Sequence, residues 1–102
     1  ILQDHQQMTT TIEVDGIQIE IRRRGMGRPL LVIHGWSADH RYMMADLEPN
    51  FDESSTWQRI YFDLPGHGTT IAPDWLNNQT QMLEILTKME IKTSFWVLLT
   101  GN

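Results

Sequence analysis

Residues 30–37 read LLVIHGWS, in which four apolar residues are followed by a His-Gly turn and a tryptophan. Two later stretches have the same form, IYFDLPGHG at residues 60–68 and FWVLLTGN at residues 95–102. Strands that are apolar on both faces are typical of parallel sheets whose two faces are covered by helices. The three stretches therefore predict three buried strands that run parallel to one another.

The segment that precedes these stretches has an alternating pattern instead. Isoleucine and valine alternate with polar residues on either side of Asp15-Gly16, a dipeptide that favours a tight turn with positive φ. This pattern predicts an antiparallel hairpin with strands at residues 9–14 and 17–23. The glycines of the Gly-Met-Gly segment at residues 25–27 end the second strand.

Helical spacing occurs in both intervals between the buried stretches. A helix near residues 38–48, which Ser37 or Asp39 can cap, is predicted from Met43, Met44 and Leu47. A second helix near residues 78–90 is predicted from four apolar residues on one face, Met82, Ile85, Leu86 and Met89. Asn77 or Asn78 can cap it, and Gln81 lies at capping-box spacing from Asn78.

The predicted order is β-β-β-α-β-α-β, an α/β fold in which an antiparallel hairpin precedes parallel strands with crossover helices.

Composition and charge narrow the class of protein. The 102 residues make one domain at most, and their net charge of −5 argues against a surface that binds nucleic acid. No apolar run approaches the roughly 20 residues of a membrane helix, so we expect no membrane partner. The chain has no cysteine, which excludes disulfides and thiol chemistry and is compatible with a cytoplasmic location. Residues 1–8 show no periodicity and are interpreted as a leader, a linker or a remnant of cloning.

Metal and nucleotide sites have weak support. The four histidines show no H-x-H or H-x-x-x-H spacing, and Asp39 and His40 are neighbours that would diverge on a helix. Gly25-Met26-Gly27 precedes a strand instead of opening a helix, which argues against a phosphate-binding loop. We therefore expect no metal and no cofactor.

The three stretches, in this order and with a helix between each pair, resemble the N-terminal part of an α/β-hydrolase-fold enzyme. Residues 31–36 are similar to the oxyanion-loop segment of that family, and residues 63–68 to its D-x-P-G-x-G loop. Residues 100–102 are similar to the opening of its G-x-S-x-G nucleophile elbow. The resemblance extends from about Thr11 to Asn102 and makes residues 9–102 the incomplete N-terminal portion of such a domain.

This resemblance implies a fold and an activity. The strand near Arg59 should lie on one side of the strand that begins at Leu30, and the strand near Phe95 on its other side. The complete protein should be a serine hydrolase, in particular a carboxylic ester hydrolase with a small-molecule ester-like substrate. The family's triad of Ser, Asp or Glu, and His would lie beyond Asn102, so residues 1–102 alone should be inactive.

The resemblance also assigns site residues. The backbone N–H of Trp36 should donate to the oxyanion, and Gly35 and Trp36 should contact the substrate; the side chain of Trp36 can equally be an apolar plug at the end of the sheet. His34 is interpreted as a structural, hydrogen-bonding histidine, because the family's base lies near the C-terminus. Gly101 and Asn102 should be structural neighbours of the nucleophile.

Two further residues of the D-x-P-G-x-G segment are interpreted as structural. Asp63 should cap the turn that follows its strand, and His67 should stabilise the loop. His67 stands where carbon–carbon bond hydrolases usually have an aromatic residue, which favours an esterase or lipase-like enzyme.

Two alternatives remain open at the level of sequence. The chain can belong to a non-catalytic member of the fold that binds a ligand but has no triad. The apolar strand at residues 95–99 can also leave an exposed edge through which the chain associates with itself.

Overall fold

The computed structural model describes residues 7–35, 38–52, 54–93 and 97–100. Within these ranges the chain forms two helices, a short 3-10 turn at Glu48–Asn50 and one mixed sheet. The strands are β1 (Gln7–Val14), β2 (Ile17–Arg24), β3 (Arg28–Ile33), β4 (Trp57–Phe62) and β5 (Val97–Thr100), and the helices are α1 (His40–Leu47) and α2 (Gln79–Thr93). None of the helices in these ranges has the length and apolar character needed to cross a membrane.

The strand order in the sheet is β1-β2-β4-β3-β5. β1 pairs with β2 and β2 with β4 in antiparallel fashion, whereas β3 is parallel to both β4 and β5. Leu31 therefore lies opposite Ile60 on one side and Leu98 on the other. The predicted fold class is confirmed, including the placement of the second and third apolar strands on the two sides of the first.

The hairpin turn follows from its two central residues. Asp15 and Gly16 both have positive φ, of 51° and 82°, and they connect Val14 to its partner Ile17. Two positive φ values match the right-handed twist of the flanking strands, and Asp-Gly adopts them at low cost. The predicted turn is confirmed, and each strand extends beyond the predicted limits, to Gln7 and to Arg24.

The helix boundaries differ slightly from the predicted ones. α1 begins at His40 because Asp39, with extended φ of −155°, accepts a hydrogen bond from the Arg41 N–H at 2.8 Å and acts as the N-cap. α2 extends from Gln79 to Thr93, past the predicted end at residue 90. Asn78 Oδ1 accepts from the Gln81 N–H at 2.9 Å, and the Gln81 side chain accepts from the N–H of Asn77 at 2.8 Å. Both caps are of the polar type that satisfies the free N–H groups of a first helical turn.

Helices cover the two faces of the sheet, so that β3 is buried on both. Leu31 and Ile33 point to the side of α2, where they join a large cluster with Ile85 and Met89. Leu30 and Val32 point to the other side, into a smaller cluster that also contains Tyr61, Met43, Met44, Leu47, Phe51 and Trp57. Each buried aliphatic side chain contributes about 1.5–3 kcal/mol relative to exposure. Burial of both faces explains the unbroken apolar run.

Candidate active site

Two loops begin side by side at the carboxyl ends of the parallel strands β3 and β4. We call residues 34–39 the β3 loop and residues 63–70 the β4 loop. They start together because Ile33 and Phe62, the last residues of the two strands, are register partners. The carboxyl ends of parallel strands are where open α/β sheets bind their ligands, so these loops form the candidate site.

His34 connects the two loops through both nitrogens of its ring. Nδ1 donates to the carbonyl oxygen of Gly35 at 2.8 Å, and Nε2 accepts from the backbone N–H of Leu64 at 2.9 Å. An Nε2 atom that accepts carries no hydrogen, so the ring is neutral with its hydrogen on Nδ1. The His34 side chain is buried and lies against the ring of His67, with centroids 4.9 Å apart. His67 Nδ1 in turn lies 3.3 Å from the carbonyl oxygen of Pro65.

Asp63 is the central acceptor of the site and is fully buried. Its carboxylate accepts hydrogen bonds from the N–H of His40 at 2.7 Å and from the N–H and hydroxyl of Thr69 at 2.9 and 3.1 Å. The ring of His40 also donates from Nδ1, at 2.9 and 3.0 Å to the two oxygens. Burial alone would raise the pKa of Asp63, but the bonds from Thr69 and His40 outweigh it and hold that pKa below its ordinary value. Asp63 therefore stays ionised in the interior.

The β4 loop is a compact series of backbone turns. The N–H of His67 donates to the Leu64 carbonyl at 2.9 Å, and the N–H of Gly66 donates to the Thr70 carbonyl at 2.9 Å. Gly68 has φ of 48°, and a Cβ atom added there would lie 2.2 Å from Oδ2 of Asp63. Glycine at this position of the D-x-P-G-x-G pattern is therefore required both by the backbone angle and by the buried carboxylate.

An open groove of about 880 Å³ runs beside the two loops. Its lining comes from the β3 loop and the start of α1, from the β4 loop, and from the start of α2: Ala38, Asp39, Arg41, Tyr42, Pro65, Gly66, His67, Gly68, Leu76, Asn77, Asn78, Gln79 and Met82. This volume lies within the range of about 300–1,000 Å³ that small-molecule sites occupy. The groove mixes apolar side chains with amides and one ion pair.

That ion pair joins Asp39 to Arg41 at the start of α1. The guanidinium donates to the carboxylate from Nε and Nη2, the latter at 2.7 Å. This hydrogen bonding with Arg41 lowers the pKa of Asp39 to about 2. Asp39 is buried, whereas the Arg41 side chain is largely exposed at the rim of the groove.

Asp39, His40 and Asp63 come together in a way that sequence reasoning missed. One ligand-type atom from each lies within 4.8 Å of the others, so this group has the geometry of a metal site. The expectation that Asp39 and His40 diverge was wrong, because Asp39 is an extended cap residue and does not follow helical geometry. Arg41 already occupies the Asp39 carboxylate, and His40 and Thr69 occupy that of Asp63. A cation would therefore have to displace these donors.

The structure locates only some of the predicted site residues. Gly35 is buried, and its carbonyl oxygen accepts from His34 and, at 3.2 Å, from the N–H of Ala38. Trp36, Gly101 and Asn102 lie outside the described residues, so the oxyanion donor and the nucleophile elbow stay predictions. His40 is the residue that sequence reasoning missed; its one sequence signal is its place directly after a helix cap.

Comparisons with known proteins give similar hydrolases. No family model matches the chain. The chain is 32% identical over 73 residues to a pimeloyl-[acyl-carrier protein] methyl ester esterase of Legionella pneumophila strain Paris, a match that covers 69% of this chain and 28% of that protein. The enzyme of the same name from strain Corby matches with the same identity and coverage.

Solved structures give the same fold at lower identity. An epoxide hydrolase from Vigna radiata superimposes with a TM-score of 0.78 at 20% identity, over 96% of this chain and 32% of that one. The haloalkane dehalogenase DatA from Agrobacterium tumefaciens C58 gives a TM-score of 0.76 at 16% identity, over 92% of this chain and 31% of that one.

The chain thus spans about a third of the length of the proteins it matches. Sheet order and helix placement agree with the expectation from the motifs. This chain is the N-terminal part of an α/β-hydrolase fold.

Proposed function

We propose that this chain forms the N-terminal part of a serine hydrolase that cleaves carboxylic esters of small molecules. The support for ester chemistry is the 32% identity to a methyl ester esterase, which exceeds the identity to the epoxide hydrolase and the dehalogenase. At 16–20% identity those two structures support the fold alone.

The observation that carries the proposal is the way in which the β3 loop is held. The loop follows a strand buried on both faces. Its two ends are held to the β4 loop, because His34 accepts from the Leu64 N–H and His40 donates to Asp63. An oxyanion hole stabilises developing charge only if its N–H donors are already in place before the reaction. A loop bound at both ends beside an 880 Å³ groove supports an oxyanion role for the β3 loop.

In the proposed reaction the backbone N–H of Trp36 donates to the carbonyl oxygen of the ester. A serine at the position after Asn102 attacks the carbonyl carbon, and the oxyanion that forms is stabilised by this donor and by the N–H that follows the serine. Gly35 provides backbone without a Cβ at the turn, so that the ester can come close. The triad histidine expected beyond residue 102 takes the serine proton and passes it to the leaving alcohol, and water then releases the acid from the acyl-enzyme.

The proposal involves no metal and no cofactor, and it places the enzyme in the cytoplasm. Its substrate would enter the groove beside the β4 loop, where Leu76 and Met82 offer apolar surface and Asn77 and Asn78 offer amides. Such a mixture suits an ester with an apolar acyl chain and a polar end.

The test uses the full-length protein, a fluorophosphonate probe and a series of p-nitrophenyl esters. We expect ester turnover and a covalent adduct on the serine directly after Asn102. Turnover of epoxides or haloalkanes with no adduct would contradict the proposal and indicate an aspartate nucleophile. Ligand binding with neither turnover nor adduct would favour a non-catalytic member of the fold.

A further inference from the structure

His34 and His40 lie at the two ends of the β3 loop. Each forms a hydrogen bond with the β4 loop, His34 with Leu64 and His40 with Asp63. His34, at the first position of the loop, accepts from the N–H of Leu64 at 2.9 Å. His40, directly after the last position, donates to the carboxylate of Asp63 at 2.9 Å. Asp63 and Leu64 are themselves the start of the β4 loop. The backbone between the two histidines is therefore held at both ends by one short segment.

The bond from His40 is built into the interior. His40 is 8% exposed and Asp63 is fully buried. Because an ionised carboxylate only accepts hydrogen bonds, Nδ1 of His40 carries the hydrogen. The backbone N–H of His40 donates to the same oxygen at 2.7 Å, so one carboxylate receives both the side chain and one of the free N–H groups at the start of α1.

The carboxylates that would have to share a cation with His40 already accept hydrogen bonds from Arg41 and Thr69. The hydrogen bond between the His40 ring and Asp63 instead connects the end of the β3 loop to the start of the β4 loop.

We propose that His40 is a positioning residue, and that its Nδ1–H bond to Asp63 holds the end of the β3 loop in place for the oxyanion role proposed above. This inference rests on the proposed esterase function. His40 does not touch the substrate; it acts through the four residues that lie between it and Gly35. A small displacement of a catalytic group lowers turnover much more than it lowers binding.

A pair of amide variants isolates the Nδ1 bond. In His40→Asn the amide nitrogen stands near the place of Nδ1 and can donate to Asp63, whereas in His40→Gln it stands one methylene farther out. The two side chains have the same chemistry, so each variant is the control for the other. In the full-length protein we expect His40→Asn to keep kcat within about threefold. His40→Gln should lower kcat by about tenfold to a hundredfold and leave KM within about twofold.

Hydrogen exchange gives a second readout that does not need activity. We expect backbone amides of residues 34–40 to exchange faster in His40→Gln than in His40→Asn, while amides of β1 and β2 exchange equally in both. Equal kcat in the two variants, whether high or low, would overturn the positioning role.

The two proposals can fail separately. If the wild-type protein has no ester turnover, the proposed function fails, and the exchange rates of residues 34–40 then decide on His40. Faster amide exchange at residues 34–40 in His40→Gln than in His40→Asn would support the positioning role of His40, and equal exchange in both variants would overturn it.

Discussion

Gly68 approaches the Asp63 carboxylate so closely that a Cβ atom on Gly68 would lie 2.2 Å from Oδ2. The buried aspartate and the second glycine of the D-x-P-G-x-G segment are therefore parts of one packing arrangement. Asp63 accepts hydrogen bonds from His40 at the start of α1 and from Thr69, and the absence of a side chain at Gly68 leaves room for these contacts.

Replacement of Gly68 by alanine should destabilise the protein by about 2–4 kcal/mol, because the positive φ and the overlap with Asp63 add. The matched control is Gly16→Ala, since Gly16 has φ of 82° and no atom within 4 Å of an added Cβ. That control should cost only the backbone strain, about 1–2 kcal/mol. Urea unfolding of both variants measures the difference, and equal losses would show that the Asp63 contact has no energetic weight.

The buried Asp63 should make stability depend on pH in the acid range. Its folded pKa is lowered, because hydrogen bonds from Thr69 and His40 outweigh the effect of burial. A lowered folded pKa means that the contribution is complete above the unfolded pKa, about 4, and is lost as the pH falls towards the folded pKa.

We therefore expect Asp63→Asn to lose about 2–4 kcal/mol at pH 7, with a difference from wild type that narrows below about pH 4. Unfolding free energies measured from pH 7 down to pH 3 test this expectation. A difference that stays constant over that range would mean that the charge of Asp63 does not stabilise the fold.

Glu48 neutralises the buried guanidinium of Arg59, on the face of the sheet that α1 covers. It forms two hydrogen bonds with the Arg59 guanidinium, at 2.7 and 2.9 Å, and accepts another from the hydroxyl of Tyr61. Arg59 is 7% exposed. Glu48→Ala would leave this guanidinium buried without its carboxylate, at a cost of about 3 kcal/mol.

The control for Glu48 is an exposed ion pair with a similar distance between its charged atoms. Lys88 contacts Asp15 at 2.6 Å with both side chains well exposed. Lys88→Gln should therefore change the free energy of unfolding by less than about 1 kcal/mol. Thermal and urea unfolding of the two variants give the comparison, and a loss from Lys88→Gln as large as that from Glu48→Ala would refute the role of burial.

Local pattern predicted the framework well, for physical reasons. The unbroken apolar run at β3 reflects burial on two faces, and Asp15-Gly16 has the backbone preference that its turn needs. Strand order is a tertiary property, and the expected neighbours of β3 came from the resemblance to a known fold rather than from periodicity.

The contact between His40 and Asp63 could not be predicted in this way. The two residues are 23 positions apart, and their contact depends on the relative placement of α1 and the β4 loop. The helical phase of Asp39 and His40 suggested divergent side chains, but the extended cap conformation of Asp39 breaks that phase. A contact between the starts of two different loops does not produce a recognisable spacing of residues in the sequence.

The proposed oxyanion role of the β3 loop in a serine esterase can be tested by measuring turnover in a Trp36→Pro variant of the full-length protein. Proline removes the backbone N–H of residue 36, while Trp36→Phe keeps that N–H and a similar ring. With both variants shown to be folded by their unfolding temperatures, we expect Trp36→Pro to lower kcat for a p-nitrophenyl ester by about 10²–10³-fold and Trp36→Phe to stay within about threefold. Full turnover by folded Trp36→Pro would contradict the claim.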